Sequence, residues 1–320
     1  MTNFSASPAR IHLSTCSRLH LGFFNLSDHA EHQFGSMGVA VDAFHTSLTL
    51  SYGAPSTGQE PWVAALLAQQ LNNAGITATV NFELQSSIPR HYGLGSGTQM
   101  ALAISAAVQA LQGKPAQVSR LAGELGRGGR SGIGIGTFAH GGIVIDGGKQ
   151  GKGSGVPPLI ARYDFPDDWC FLLILDPGHP GMHGQPEKAA FKTLVPQSLE
   201  NTHALAFTVL LQAMPALVNR DFSAFAQAVA ALQQYNATYF SPAQGGMYAS
   251  PRVAEVLQYL QQAGHVGLGQ SSWGPTGFVL LPDAEAATSL QQHLSQQFSG
   301  HGLVYQRAHA VNHGADIRTG

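Results

Sequence analysis

The segment His91-Tyr92-Gly93-Leu94-Gly95-Ser96-Gly97-Thr98-Gln99 runs directly into Met100–Leu111, a stretch apolar almost all round. Glycines at 93, 95 and 97 let the backbone turn tightly and approach a ligand. Ser96 and Thr98 add hydroxyl donors where a starting helix leaves its N–H groups unpaired. Together these make an anion site suited to phosphate or pyrophosphate. The spacing is not that of a Walker A loop, because no Gly-Lys-Ser/Thr follows, nor of G-x-G-x-x-G, because Gln99 and Met100 follow the last glycine. A glycine-rich turn before a helix is also a common packing device, and the apolar helix behind this one favours the anion site.

These residues must be held by the elements around them. Ile11–Leu26 alternates apolar and polar side chains and predicts a strand leading into a loop. Met37–Tyr52 predicts one or two more strands and Thr77–Leu84 another, while Pro61–Ala74 has helical periodicity. Met100–Leu111 is a buried helix. Val118–Leu125 predicts a further helix, ended by the glycine-dense Gly126–Gly136, and Gly142–Asp146 a strand bounded by glycines. Gly147–Pro158 reads as an exposed loop, with a domain boundary soon after it that divides the chain into 1–160 and 161–320. In the second half Trp169–Asp176 predicts a buried strand, followed by helices at Leu199–Met214, Phe222–Tyr235 and Arg252–Ala263. Strands at Gly277–Leu281 and Leu303–Ala308 enclose a helix at Ala284–Phe298. The elements do not alternate as in a doubly wound fold, so the fold class is α+β with mixed or antiparallel sheets.

Composition narrows the partners. A length of 320 residues suits two domains, and a formal net charge of −2 gives no positive field for a nucleic-acid backbone or an anionic membrane. Cys16 and Cys170 lie far apart with no ligand spacing around them, which predicts two reduced thiols rather than a zinc site or a disulfide. Met1–Arg10 lacks the basic and apolar blocks of a signal peptide, and no later run approaches the length of a transmembrane span, so a cytoplasmic protein is expected. Charged residues make up only 11% of the chain.

Pro89-x3-Gly93-Leu94-Gly95-Ser96-Gly97 resembles the phosphate loop of the GHMP kinase superfamily. Ser131-Gly132-Ile133 followed by Gly141-Gly142 is similar to a downstream segment of its mevalonate-kinase-like members. Ser17-Arg18-Leu19-His20-Leu21-Gly22 sits where those kinases have their first strand motif, and Gly269-Gln270-Ser271-Ser272-Trp273-Gly274 where they have a late glycine-rich loop. Three departures stand out. Gly134 takes the place of the aspartate that serves those kinases as base, Arg18 replaces an early lysine, and Gly97-Thr98-Gln99 replaces a Ser-Ala-Ala run. A non-kinase branch matches more closely, the β-ribofuranosylaminobenzene 5'-phosphate synthase family. That resemblance rests on Arg18–Gly22, Gly93–Gln99, Arg127-Gly128-Gly129-Arg130-Ser131-Gly132-Ile133-Gly134, Gly141-Gly142 with Asp146-Gly147-Gly148, and His183-Gly184-x2-Glu187 after Pro177. It covers most of the chain.

The resemblance implies a two-domain GHMP-kinase-like fold, with a ribosomal S5 domain 2-like N-terminal half and a ferredoxin-like C-terminal half. It implies joining of 5-phosphoribosyl 1-pyrophosphate to 4-hydroxybenzoate or 4-aminobenzoate, with release of carbon dioxide and pyrophosphate. Magnesium, a homodimer and a place in tetrahydromethanopterin biosynthesis come with it. The expected phosphate and pyrophosphate ligands are Gly93, Gly95, Ser96, Gly97, Thr98, Gln99, Arg127, Arg130 and Ser131, since planar guanidinium groups and helix N–H groups both suit phosphate. Arg18 is the candidate to orient the benzoate carboxylate. His20 and His183 are candidates for a base near the para substituent. Ser272 and Trp273 are expected at the aromatic substrate, and Glu187, then Asp146, as oxygen ligands for magnesium.

Each residue also has a plainer role open to it. His20 could be a core histidine, Arg127 and Arg130 could complement a helix dipole, and His183 with Glu187 could be a solvated pair. Asp146 could be a turn residue, and Trp273 could plug a domain seam. Two other functions remain in view: an ATP-dependent small-molecule kinase, and a non-catalytic binder of phosphate ligands on the same fold.

Overall fold

The computed structural model describes residues 10–29, 31–55, 58–151, 155–182 and 184–320. The first half contains β1 (Arg10–Asn25), β2 (His32–Gln33), β3 (Gly35–Tyr52), α1 (Pro61–Asn73), β4 (Val80–Ser86), α2 (Ser96–Leu111), α3 (Val118–Glu124), α4 (Ile133–His140), β5 (Ile143–Asp146), β6 (Lys149–Gln150) and β7 (Leu159–Tyr163). The second half follows with β8 (Cys170–Leu175), α5 (Gln185–Thr193) and α6 (Leu199–Phe207), which continues through a π-helical turn into α7 (Met214–Val218). Then come α8 (Phe222–Gln244), α9 (Pro251–Gln262), β9 (Leu268–Gln270), β10 (Gly277–Leu281), α10 (Ala284–Gln297), β11 (Val304–His309) and β12 (Asp316–Thr319).

Two antiparallel sheets carry the molecule, which makes it α+β as its patterning predicts. One sheet runs β12-β1-β3-β5-β7 with β4 also on β3, and the other runs β11-β8-β10-β9. The long β1–β3 pair is the spine of the first, with register shifts between Cys16 and Ser17 and again between His20 and Gly22. Leu19 and Leu21 alternate into the core, which leaves Arg18 and His20 on the other face. Helix α2 lies buried between this sheet and α1, α3 and α4, with Met100, Leu102, Ala103, Ile104 and Leu111 in a common apolar cluster.

Two boundaries differ from the sequence reading. β7 pairs with β5, so the first sheet extends to Tyr163, past the expected break at 160. The chain then returns at its far end, where β12 pairs with β1. The glycine-dense run before His140 is not loop throughout, because it contains α4, and Lys149–Gln150 pairs with His32–Gln33.

Most second-half helices begin with a side-chain cap. Ser198, Asp221, Ser250 and Asp283 accept from the backbone N–H groups of Asn201, Ala224, Val253 and Ala286. Helices α2 and α4 begin instead at Gly95 and Gly132, with no side-chain cap. The continuous helix Leu199–Val218 reaches, among the described residues, the length and apolarity of a bilayer span, which the sequence reading had not expected anywhere. It buries Thr202, Leu205, Val209, Ala213, Met214 and Leu217 against the rest of the chain, while Phe207, Leu211 and Val218 on its outer face are exposed.

Candidate active site

A cleft of about 230 Å³ opens at the N-terminus of α2, and Arg18, Ser96, Gly97, Thr98, Arg127, Glu187 and Ser272 are on its wall. It gathers residues from β1, the turn before α2, the loop after α3, the start of α5 and the turn after β9, so both halves of the chain build it.

Gly93 fixes the turn. Its φ is +73°, and a Cβ there would lie 2.3 Å from the Ser271 carbonyl oxygen, so a side chain is excluded on two grounds. The Gly93 carbonyl accepts from the Arg18 guanidinium and, at 2.7 Å, from the Ser271 hydroxyl, which itself accepts from the His20 N–H at 3.0 Å. Ser271 therefore ties β1, the phosphate turn and the late loop together. It was not singled out from the sequence, although the Gly269–Gly274 run containing it was.

Two arginines flank the start of α2. Arg18 lies against Gly95, where a Cβ would stand 3.0 Å from its Cγ. Burial lowers its pKa to about 10, partly offset by the charge of Glu187, so it remains cationic at neutral pH. Arg127 lies over Gly97, with a guanidinium nitrogen 3.8 Å from where a Cβ would be, and among the described residues its buried Nε has no hydrogen-bond partner. Burial lowers its pKa also. Among the described residues, the N–H groups of Ser96 and Gly97 have no backbone acceptor, whereas those of Thr98 and Gln99 bond to the Gly95 carbonyl. Positive charge and open helix N–H groups thus converge on one spot.

Several expected ligands are committed elsewhere. Gln99 is fully buried; it accepts from Thr15 Oγ1 at 2.6 Å and donates to the Gly134 carbonyl at 2.8 Å, so its side chain fastens β1 to α4 and faces no ligand. Ser131 Oγ lies 2.8 Å from Ser36 Oγ and 3.3 Å from Asp146, and accepts from the Ile133 N–H, so it belongs to the interior. Asp146 is no open metal ligand either. One oxygen takes bonds from Ser36 Oγ at 2.5 Å and the Gly132 N–H at 2.9 Å, and the other takes one from the Gly148 N–H at 2.9 Å. Burial raises this carboxyl to about 6 against those donors.

Arg130 bonds Glu187 at 2.5 Å and lies 4.5 Å over the Phe191 ring, which clasps α5 beside the cleft. His183 lies outside the described residues. His20 is 3% exposed, and burial together with the charge of Arg18 lowers it to about 3. Burial thus keeps it neutral at physiological pH, unlike the near-neutral titrating base expected from its residue type. Trp273 is 5% exposed and packs on Phe240 at 4.7 Å and Phe191 at 5.3 Å, in an apolar cluster that also takes in Phe23 and Leu26 from the first half, and it lines the cleft as well. Ser272, at φ +57°, borders the cleft, as do His91 and Met182, which the sequence did not mark.

The arrangement can hold a diphosphate against α2, with Glu187 as the cleft's carboxylate. The chain is also similar to known proteins. The domain described as GHMP kinases N terminal domain matches residues 61–142, and GHMP kinases C terminal matches 213–300. Among solved structures, homoserine kinase from Cytophaga hutchinsonii superposes with a TM-score of 0.66 at 19% identity, covering 99% of this chain and 100% of that one. Mevalonate diphosphate decarboxylase from Staphylococcus aureus gives 0.66 at 14% identity, over 97% and 98%. These likenesses establish the fold. The β-ribofuranosylphenol 5'-phosphate synthase of Methanothermobacter thermautotrophicus is 28% identical over 82% of this chain and 86% of its own length. That of Archaeoglobus fulgidus is 30% identical over 96% of this chain and 99% of its own. By sequence, by fold and by the order of its motifs, the chain belongs to the β-ribofuranosylphenol 5'-phosphate synthase family, built on the GHMP kinase fold.

Proposed function

We propose that the chain joins 5-phosphoribosyl 1-pyrophosphate to 4-hydroxybenzoate, releasing carbon dioxide and pyrophosphate and leaving β-ribofuranosylphenol 5'-phosphate. The observation that carries this reading is the convergence of Arg18 and Arg127 on the open N-terminus of α2, in a chain whose relatives are named for that product. The same chemistry admits 4-aminobenzoate, which would give the aminobenzene product.

As the bond from the ribose anomeric carbon to pyrophosphate breaks, negative charge grows on the leaving oxygens. The Ser96 and Gly97 N–H groups, the Ser96 and Thr98 hydroxyls and the two guanidinium groups stabilise it without reorganising. The ring carbon bearing the carboxylate is made electron-rich by the para oxygen, and its electron pair forms the new bond to the anomeric carbon. The carboxylate then leaves as carbon dioxide, and its bonding pair restores the aromatic ring.

Magnesium fits this donor set in one way. No group of three or more His, Cys, Asp or Glu side chains capable of holding a metal occurs among the described residues, and Glu187 is the carboxylate on the cleft wall. The ion would be held by Glu187 and mainly by the substrate's own phosphate oxygens, where it would neutralise diphosphate charge. The reading also includes a homodimer, and a cytoplasmic location, where charged sugar phosphates are retained.

A kinase would need a group to take the proton from its alcohol. Gly134, at the position matching the kinase aspartate, supplies no carboxylate, and a Cβ there would meet the Thr98 methyl at 3.1 Å.

The test is release of labelled carbon dioxide from carboxyl-labelled 4-hydroxybenzoate. We expect release that depends on both phosphoribosyl pyrophosphate and magnesium. No release from either the hydroxy or the amino acid, with ATP hydrolysed in their absence, would replace this reading with the kinase one.

A further inference from the structure

Behind the turn at Ser271–Ser272 lies a second cavity that the scheme above does not use. His20, Phe23, Asn236, Phe240, Gln270 and Ser272 are on its wall. Its volume is about 20 Å³ against about 230 Å³ for the cleft, so it admits one water-sized group and no ring. Ser272 borders both spaces.

The amides around this cavity are already engaged. Asn236 accepts from the Phe23 N–H and donates to the carbonyls of Phe23 and Leu232. Gln270 accepts from the Ala249 N–H and donates to Gln244 and to the Ser272 carbonyl. Gln233 accepts from the Gln270 N–H and donates to the Leu21 carbonyl. On this wall the exception is His20, whose buried Nε2 has no hydrogen-bond partner among the described residues. An unpaired buried nitrogen costs more than a made bond returns, and a neutral imidazole offers one N–H and one lone pair.

We propose that this cavity receives the para-hydroxyl of the aromatic acid, with His20 Nε2 as its hydrogen-bond partner, so that His20 sets a preference for a phenol over an aniline. The inference rests on the synthase reading and names the acceptor end of the same site. Para groups lie at opposite ends of the ring. A hydroxyl in the cavity therefore leaves the carboxylate-bearing carbon on the cleft side of Ser272, toward the ribose.

Both tautomers of His20 favour the hydroxyl. With Nε2 as acceptor, the phenol spends its single O–H there, whereas an amino group would bury a second N–H with nothing to receive it. With Nε2–H as donor, the phenol oxygen accepts, whereas an aniline nitrogen accepts poorly because its lone pair is delocalised into the ring. No proton is transferred in either case.

The experiment is calorimetric titration of 4-hydroxybenzoate, 4-aminobenzoate and unsubstituted benzoate into the protein with inorganic pyrophosphate and magnesium present. Wild type, His20→Phe and Ala237→Val are compared; Ala237 lines the cavity, and its enlargement reduces the space while keeping the imidazole. We expect wild type to bind the hydroxy acid at least about tenfold more tightly than the other two, and His20→Phe to reduce that preference to within about twofold. Ala237→Val should weaken the hydroxy acid about tenfold while benzoate and phosphoribosyl pyrophosphate stay within about twofold, and it decides the matter if His20→Phe does not fold. Equal wild-type affinity for the three acids, a hydroxyl preference that survives His20→Phe, or equal weakening of all three by Ala237→Val each overturns the subsite. Turnover of labelled acid without any hydroxyl preference sinks this inference and leaves the synthase reading standing; absence of turnover with either acid sinks the synthase reading itself.

Discussion

At the start of α2 the backbone N–H groups of Ser96 and Gly97 and the guanidinium groups of Arg18 and Arg127 face a cleft; at the start of α4 the Gly132 N–H and the hydroxyls of Ser36 and Ser131 face a buried carboxylate. Both helices follow glycine-rich turns, and both lack a side-chain cap. The difference is what lies beneath. Asp146 takes the Gly132 N–H and the Ser36 hydroxyl and lies against Ser131, while Gln99 takes up the Gly134 carbonyl, so the second turn has its polar groups satisfied from within. A helix N-terminus becomes a ligand site only where the protein has left it unanswered.

Three variants would break or sharpen that contrast. The largest effect belongs to the α2 side: Arg18→Ala combined with Arg127→Ala should weaken phosphoribosyl pyrophosphate by about 1,000-fold, or ~4 kcal/mol. Calorimetry with and without the benzoate checks it, and unchanged affinity would move the anion elsewhere. Next comes Asp146→Asn on the α4 side, read by urea unfolding across pH. The folded-state carboxyl, at about 6 against an ordinary 3.8, holds its proton more tightly than the unfolded chain does, so its contribution is complete below about pH 4 and declines toward pH 6. Wild type should therefore lose up to about 3 kcal/mol relative to the variant across that window. A relative gain with rising pH would contradict the burial argument. The smallest effect on binding is expected of Gln99→Leu, which should cost about 1–2 kcal/mol of stability through the lost Thr15 and Gly134 bonds yet leave phosphoribosyl pyrophosphate affinity within about twofold. A large loss of affinity there would return Gln99 to the ligand set.

Periodicity made most elements legible. The alternation of β1 and β3, the apolar α2 and the amphipathic second-half helices all appear close to their predicted places. Helix α4 was hidden because Gly134 and Gly136 are poor helix formers, and its stability comes from packing on α2 and β5 rather than from propensity. β12 was hidden because a four-residue strand has too few alternations to register, and its partner lies at the opposite end of the chain. At the site, residue type indicated the glycine turn and Arg127 beside it, but it expected Arg18 at the benzoate carboxylate and Arg130 at the phosphate, where the fold sets Arg18 against the turn and Arg130 on Glu187. It could not indicate direction. Asp146, Ser131 and Gln99 have the right chemistry for ligands, and only the fold turns them inward. The partnerless Nε2 of His20 is likewise a property of its neighbours and not of the residue itself.

The pairing of β12 with β1 has a consequence for how the molecule comes into being. Residues 316–319 are made after every other strand of the first sheet, so the edge of β1 at Ile11–Ser14 stays open until they are present. The final strand then acts as a clasp drawn across from the other half. Trimming it would uncover the backbone edge of the very strand that carries Arg18 and His20, and so translate a change at the tail into looseness at the chemistry.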